Sequence, residues 1–156
     1  MPAAPAFELE SHAFFWMTQV IACRDRQLAA ELKGVGLRVP EWRALASLHA
    51  KRSLSMRELS DLASIDRSTL TRTMDRMQKA GWVTRLSDSG DMRVTRLALT
   101  ASGQRLFARV WPTVERLNQA ASAGLPESAL GMLRWTLEQM RRNLDADLDT
   151  QDSRAA

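Results

Sequence analysis

The amino-acid sequence predicts a mainly α-helical protein with a small β wing. Apolar residues recur at helical spacing through most of the 156 residues. An amphipathic run without Gly or Pro follows Asp66, and two β-rich segments surround a polar turn after Gly81. The order of helix, turn, helix and hairpin predicts a winged helix-turn-helix at residues 37–100. Long helical segments, 1–36 and 101–156, flank it within one compact domain.

Length and composition limit the class of protein. The chain is 45% hydrophobic and 26% charged, which is typical of a globular domain. No apolar run approaches the roughly 18 residues of a membrane span, and the N-terminus lacks the features of a signal peptide. One cysteine excludes an internal disulfide and suits a reducing compartment. We therefore expect a cytoplasmic protein that makes no contact with a membrane.

The N-terminal segment is predicted to form one long helix from about Glu8 to Lys33. Gly34 and Gly36 then favour a helix end. Apolar residues recur at helical spacing along this segment, as expected for a helix with one apolar side. They are Phe14, Met17, Ile21, Leu28 and Leu32.

Two further helices are predicted before Asp66. Pro40 suits the first turn of a helix that reaches about His49. Ser55 and Glu58 have the spacing of a capping box, so the next helix should begin there. Leu54 is expected to pair with the wing strands and to complete a small three-stranded sheet.

The helix from Asp66 to Ala80 carries most of the functional argument. Asp66 suits the N-cap because its carboxylate can accept hydrogen bonds from free amides of the first turn. Leu70, Met74 and Met77 form one apolar stripe. Polar residues lie opposite that stripe or in the first turn, where a helix in the major groove of DNA contacts bases and phosphates. A solvated amphipathic helix with no such role is the alternative.

The predicted hairpin favours DNA binding. Gly81 can end the helix with a positive φ. Residues 82–86 and 93–97 have the composition of strands, and residues 87–91 have that of a turn. Basic side chains outnumber acidic ones from Asp66 to Arg96, whereas the whole chain has a net charge of only +4. The positive charge is therefore concentrated where DNA contacts are expected.

The C-terminal segment is predicted to form two helices. Thr100 caps the first, which runs from Ala101 to about Ala123 and should bend at Pro112. Gly124 and Pro126 separate it from the second. Apolar residues in this last helix have nearly the spacing of a coiled-coil seam: Leu130, Leu133, Leu137, Met140, Leu144 and Leu148.

These long flanking helices predict a homodimer. Two winged helices bound to one duplex must be held about 10 base pairs apart, which requires a fixed spacer. A monomer whose helices cover one another is the alternative. The residues predicted to form the dimer are Phe14, Ile21, Leu130, Leu133, Leu137, Met140 and Leu144.

From Val39 to Leu106 the sequence resembles the MarR family of bacterial winged-helix regulators. The resemblance is carried by Pro40–Arg43 with Leu45, Ser55–Met56 with Glu58–Leu59, Asp66–Arg72, Asp75–Met77, Gly81 with Val83 and Arg85, Asp91 with Arg93, and Leu99–Thr100 with Gly103. Leu86 and Met92 depart from the pattern, since many members have a basic residue at these positions. The wing of this chain is therefore less charged.

The resemblance implies a repressor that binds a palindromic operator in double-stranded DNA as a homodimer. The helix that begins at Asp66 would contact bases in the major groove, and Arg93 of the wing, oriented by Asp91, would enter the minor groove. The residues expected to contact bases are Ser68, Thr69, Thr71 and Arg72. Those expected to contact phosphates are Arg67, Arg76, Lys79 and Arg85.

The resemblance also implies a small-molecule effector. Related proteins are released from DNA by small aromatic anions that bind between the dimer core and the winged helix. Three tryptophans and two arginines of this chain lie in the corresponding helices, and they could provide an aromatic wall and a positive charge. The candidates are Trp16, Trp42, Trp111, Arg24 and Arg43. Plain packing of the tryptophans is the alternative.

Cys23 raises the possibility of a different function. Cys23 lies beside Arg24 and Arg26, which would favour a reactive thiolate, so a thiol redox switch is one alternative. Peroxide-sensing members of the family hold such a cysteine with tyrosines, which this chain lacks, so we expect a buried structural cysteine instead.

A protein-interaction module with the same fold but no DNA binding is another alternative. A metal site built from Glu10, His12, Cys23 and His49 has no recognisable ligand spacing. No motif predicts an enzyme or a cofactor.

Overall fold

The computed structural model of the protein describes residues 8–87 and 95–155, with side chains described for 8–86 and 95–147. A short 3-10 helix at Leu9–Ser11 precedes the first α-helix. The six α-helices are α1 (Ala13–Lys33), α2 (Val39–Lys51), α3 (Met56–Ala63), α4 (Arg67–Lys79), α5 (Ala101–Ala121) and α6 (Glu127–Ala155). The three strands are β1 (Ser53–Ser55), β2 (Val83–Ser87) and β3 (Thr95–Leu99). This architecture confirms the predicted fold class, a mainly helical protein with a small β wing.

The three strands form one antiparallel sheet in the order β1-β3-β2. Leu54 lies opposite Leu97 across one strand pair, and Arg85 lies opposite the same Leu97 across the other. The predicted pairing of Leu54 with the wing is therefore confirmed. Leu54 and Leu97 point into the core, so the sheet joins the wing to the helices.

One apolar core holds the winged helix together. Helices α2, α3 and α4 contribute nearly half of its buried residues, and their fully buried leucines and methionines include Leu45, Leu59, Leu70, Met74 and Met77. The C-terminal part of α1 adds Leu28 and Leu32, and α5 adds Leu106, Val110 and Val114. Burial of such apolar surface is the main force that favours the folded state.

The start of α5 fits against the end of the α4–β2 connection through Thr100 and Gly103. The Thr100 hydroxyl donates to the Gly81 carbonyl at 2.6 Å and accepts from the Gly103 amide at 3.1 Å, which confirms the predicted cap. A Cβ on Gly103 would lie 2.2 Å from the Trp82 carbonyl oxygen. Only glycine therefore allows this close packing.

The chain divides into two compact units, one that ends at Leu117 and one that begins at Asn118. The second comprises the last turn of α5 and the whole of α6. Its large apolar side chains are mostly exposed, including Met132, Leu133, Trp135 and Leu144. Helix α5 itself continues through Pro112.

Candidate nucleic-acid interface

Helix α4 has one buried and one exposed face, as its sequence predicts. Leu70, Thr73, Met74 and Met77 are buried. The exposed face carries five of the seven α4 residues expected to contact DNA: Arg67, Ser68, Thr71, Arg72 and Lys79. Thr69 is half-buried at the edge of this face. The helix thus presents a continuous polar surface while its other side is fixed in the core.

Asp66 caps α4 and organises its first turn. Its carboxylate accepts from the Thr69 amide at 2.9 Å and from the Ser68 hydroxyl at 2.7 Å. Hydrogen bonds from the Thr69 side chain and amide, and from Ser68, hold the pKa of Asp66 well below its usual range. The carboxylate is therefore ionised at neutral pH, and its charge also interacts favourably with the helix dipole.

The hydroxyl groups of this turn have their hydrogens directed into the helix. Ser68 donates to Asp66, and Thr71 donates to the Arg67 carbonyl at 2.9 Å. Their oxygen lone pairs remain available on the exposed face. Such oxygens can accept hydrogen bonds from the exocyclic amino groups of adenine or cytosine in the major groove.

The basic residues of α4 and β2 have different environments. Within the described part of the chain, Arg72 makes no hydrogen bond or ion pair, so its guanidinium is free for a ligand. Arg85 donates from Nε to the Gln78 side-chain oxygen at 3.1 Å and is exposed. Lys79 is also exposed. Among the described residues these three side chains have no ion-pair partner, so each could approach a DNA backbone directly.

Arg76 is instead bound within the protein. Its Nη1 lies 2.8 Å from Oε1 of Glu41, a carboxylate that is 2% exposed. Its Nη2 donates to the Gly36 carbonyl at 2.8 Å. The phosphate contact predicted for Arg76 stays a prediction, but the structure gives this side chain an internal role that the sequence did not indicate.

A cleft of about 290 Å³ lies between the first turn of α2 and α4. It is lined by Arg38, Pro40, Glu41, Thr69, Arg72, Thr73 and Arg76. Three of these residues are arginines and one is acidic, so the cleft has a net positive character. It extends the basic surface of α4 toward α2.

The tip of the wing lies outside the described residues. Asp91 and Arg93, which are predicted to act at the minor groove, belong to this segment. Strand β2 ends at Ser87, and strand β3 begins at Thr95. Arg96 of β3 donates to the Ser53 side chain and carbonyl, each at 3.1 Å, and its guanidinium lies 3.4 Å from Glu58. It therefore joins β3 to β1 and α3.

The predicted effector residues fall into three groups. The rings of Trp42 and Trp111 each stack with that of Phe107, with centroid distances of 5.6 and 6.0 Å. Arg24 and Arg43 meet at the carboxylate of Asp25. Trp16 is exposed near the start of α1, where its indole donates to the Glu10 carbonyl at 2.8 Å.

The aromatic stack extends to His49, whose ring lies 3.6 Å from that of Phe107. His49 also makes a 2.7 Å hydrogen bond with Gln104. Phe107 and Gln104 have no signal in the sequence that would have linked them to this stack, because the contact joins α2 to α5.

Cys23 is exposed on α1, so the expectation of a buried cysteine is wrong. The side chains at positions 20 and 21 are exposed as well, because this part of α1 lies outside the core. No group of three or more His, Cys, Asp or Glu side chains in the described residues could hold a metal ion. Nor does any described helix have the length and apolar character needed to cross a lipid bilayer.

A winged helix with an exposed, polar and partly basic α4 defines a DNA-binding protein. The MarR family model matches residues 37–95. The chain is 31% identical to the HTH-type transcriptional repressor IacR of Pseudomonas putida over 144 residues, covering 92% of this chain and 86% of that protein.

Solved structures of MarR-family regulators are also similar to this chain. A MarR-family transcriptional regulator from Silicibacter pomeroyi has 30% identity and a TM-score of 0.80, covering 87% of this chain and 92% of that one. A mutant MarR of Escherichia coli complexed with operator DNA has 25% identity and a TM-score of 0.69, covering 80% and 90%. The chain belongs to the MarR family of DNA-binding transcriptional regulators, and its relatives are regulators rather than enzymes.

Proposed function

We propose that the protein is a cytoplasmic, homodimeric repressor that binds a palindromic operator and responds to a small effector. The observation that carries the proposal is the exposed polar face of α4, which holds a free Arg72 guanidinium beside outward-facing hydroxyl oxygens. The core fixes the opposite face of the same helix. A rigid helix with such a surface suits base contacts in the major groove.

The residues of this surface divide into two roles. Ser68, Thr69, Thr71 and Arg72 lie in the first two turns of α4 and would contact bases. Arg67, Arg76, Lys79 and Arg85 would contact phosphates, with Arg76 constrained by its internal ion pair. Asp91 and Arg93 would act at the minor groove. Base contacts determine sequence preference, whereas phosphate contacts supply affinity that depends on salt.

The exposed apolar residues of α1 and α6 support a homodimer. Phe14, Ile21, Leu133 and Leu144 are each more than half exposed, and Leu137 is 38% exposed. Exposed large apolar side chains on each of these helices are typical of an interaction site in a folded protein. A symmetric dimer would cover it and would place two α4 helices on one face of a duplex.

The stacked aromatic rings and the nearby charges support an aromatic anion as the effector. Phe107 and the exposed Trp111 provide flat apolar surfaces that suit an aromatic ring, whereas Trp42 is 4% exposed and packs in the core. Arg43 is paired with Asp25, so an anion that binds there would compete with this carboxylate. A carboxylate ligand could form bidentate contacts with the guanidinium, whereas Asp25 makes one hydrogen bond to it.

Selection of bound duplexes from a random pool tests the proposal. The expected result is a palindromic motif whose half-sites lie about 10 base pairs apart. The control variant is Arg141→Ala, which removes a side chain that is 73% exposed on α6, and it should select the same motif. Absence of any enriched motif with the wild type would contradict the proposed function and would favour a protein-interaction module.

A further inference from the structure

We propose that the Glu41–Arg76 ion pair sets the orientation of α4 and thereby determines how well the protein distinguishes its operator from other DNA. This inference rests on the proposed function, in which α4 contacts the bases. Arg76 and Glu41 would act as positioning residues, because their effect on DNA passes through the rest of α4.

The geometry joins three segments through one carboxylate. Glu41 lies in the first turn of α2, and its Oε2 accepts from the Arg38 amide at 2.8 Å. Its Oε1 pairs with Arg76 of α4 at 2.8 Å. Arg76 in turn donates to the carbonyl of Gly36, in the turn between α1 and α2, at 2.8 Å. The middle of α4 is therefore tied both to α2 and to the turn that precedes it.

Burial of Glu41 makes its ion pair with Arg76 costly to break. The Glu41 side chain is only 2% exposed, while Arg76 is 39% exposed. A carboxylate taken out of water is costly unless its partners stay in place, because the lost hydration must be replaced by fixed donors. If α4 moved away from α2, the Glu41 carboxylate would lose Arg76 as its partner. The ion pair therefore opposes rotation or translation of the helix.

The position of Arg76 on α4 links this constraint to base contacts. Arg76 follows Arg72 by four residues, so both side chains lie on the same side of the helix. Base contacts in the major groove depend on the placement of hydrogen-bonding groups, whereas long basic side chains can follow a phosphate through rotamer changes. Loosening α4 should therefore weaken binding to the operator more than binding to random DNA.

A phosphate contact by Arg76 alone predicts a different pattern. Loss of such a contact would weaken binding to all sequences equally and would reduce the dependence of affinity on salt. It would also make Glu41 irrelevant to DNA binding. Substitution of Glu41 therefore separates the two roles, because this buried side chain faces Arg76 rather than solvent.

The test compares three variants on the selected duplex and on a scrambled duplex of equal length, with thermal unfolding of each. Glu41→Gln keeps the shape of the side chain but removes its charge. Arg76→Lys keeps a cation for Glu41 but loses the planar group that reaches Gly36. Glu31→Gln is the matched control, since Glu31 forms an exposed ion pair with Arg116, also at 2.8 Å.

The operator preference, defined as the ratio of the two affinities, should fall about tenfold in Glu41→Gln and by less in Arg76→Lys. It should not change in Glu31→Gln. A lower unfolding temperature with an unchanged preference would overturn the proposal in favour of a purely structural pair. Equal losses on both duplexes in Arg76→Lys, with none in Glu41→Gln, would overturn it in favour of a phosphate contact. If Glu41→Gln does not fold, Arg76→Lys decides the question by the same ratio.

Failure of the proposed function gives a separate result, in which the wild type shows no preference for any duplex. Amide hydrogen exchange then tests the positioning role without DNA. Glu41→Gln, or Arg76→Lys if the first variant does not fold, should accelerate exchange in α4 and around Gly36. Glu31→Gln should not. Unchanged exchange in α4 would overturn the inference.

Discussion

The winged-helix core and the terminal helices differ in how they cover their apolar side chains. Leu45, Leu70 and Leu97 are completely buried in the core. Phe14 of α1 and Trp135 of α6 are 57% and 58% exposed. Both regions have amphipathic sequences, but only the first has its apolar side chains covered by other described residues of the chain. A helical apolar pattern therefore predicts that a face will be covered, and it does not say by which molecule.

The same contrast applies to the charged residues. The buried Glu41 has two fixed partners, Arg38 and Arg76, whereas Arg141 on α6 makes an exposed pair with Asp145 at 3.2 Å. An exposed pair of this kind contributes little to stability. The winged-helix core is thus stabilised internally, and the terminal helices have surfaces that suit association.

The largest effect is expected from charges placed on the exposed face of α6. Leu137→Asp combined with Leu144→Asp should convert the proposed dimer to a monomer, because buried unpaired carboxylates are costly in an interface. Operator affinity should fall about a hundredfold or more as the two half-sites become unlinked. Sedimentation velocity and operator titration measure the two quantities.

The matched control for sedimentation is Leu62→Asp, which alters a leucine that is 48% exposed on α3. It should leave the dimer intact. A double variant that remains a dimer with full operator affinity would show that α6 does not hold the half-sites together.

A smaller effect is expected from a methyl group added inside the core region. Gly103→Ala should destabilise the fold by about 1–3 kcal/mol, because its Cβ would overlap the Trp82 carbonyl. Gly131→Ala on α6 meets no described atom within 4 Å and should stabilise the helix by up to about 1 kcal/mol. Urea unfolding followed by circular dichroism compares the two. Equal stabilities would contradict the close packing at the start of α5.

The pH dependence of stability should contain a contribution from Asp66. Its pKa is depressed in the folded state by hydrogen bonds from Thr69 and Ser68, so the ionised carboxylate favours folding. This contribution is fully present above the ordinary pKa of Asp, about 4, and is lost as the pH falls through the folded value. Asp66→Asn keeps a capping side chain and should flatten the curve below about pH 4. Urea midpoints of the wild type and of Asp66→Asn, measured at several acidic pH values, test this. The same dependence of stability on pH in both proteins would contradict it.

The smallest effect is expected at Cys23. Cys23→Ser should leave both operator affinity and any response to an effector unchanged, although the thiol is exposed. Fluorescence anisotropy of a labelled operator, with and without peroxide, measures this. Release of the wild type by peroxide, together with retention of the variant, would establish the thiol redox switch instead.

Local signals in the sequence predicted much of the fold. The cap at Asp66, the apolar stripe of α4 and the capping box at Ser55 each depend on residues within one or two turns. The pairing of Leu54 with the wing strands was also predicted, because a short strand beside a hairpin has few other places to pair, and the partner is β3. These features follow from spacing and from residue type.

Apart from the pairing of Leu54 with the wing, contacts between distant segments were not predicted. Glu41 and Arg76 are 35 positions apart, and nothing near either residue indicates that they meet. Helix α1 appeared apolar over its whole length, yet only Leu28 and Leu32 are buried, so the exposure of Cys23 depended on where the core ends. Gly103 matched a motif, but its reason lies in the Trp82 carbonyl across the α5 junction.

The central claim is that α4 distinguishes DNA sequences through its exposed face, and Arg72 tests this most directly. Fluorescence anisotropy should measure Arg72→Ala and wild type on the selected duplex and on a scrambled one at the same salt concentration. Arg72→Ala should lose about 1–3 kcal/mol of binding free energy on the selected duplex and much less on the scrambled one. Equal losses on both duplexes would contradict it, because Arg72 would then contact only the DNA backbone.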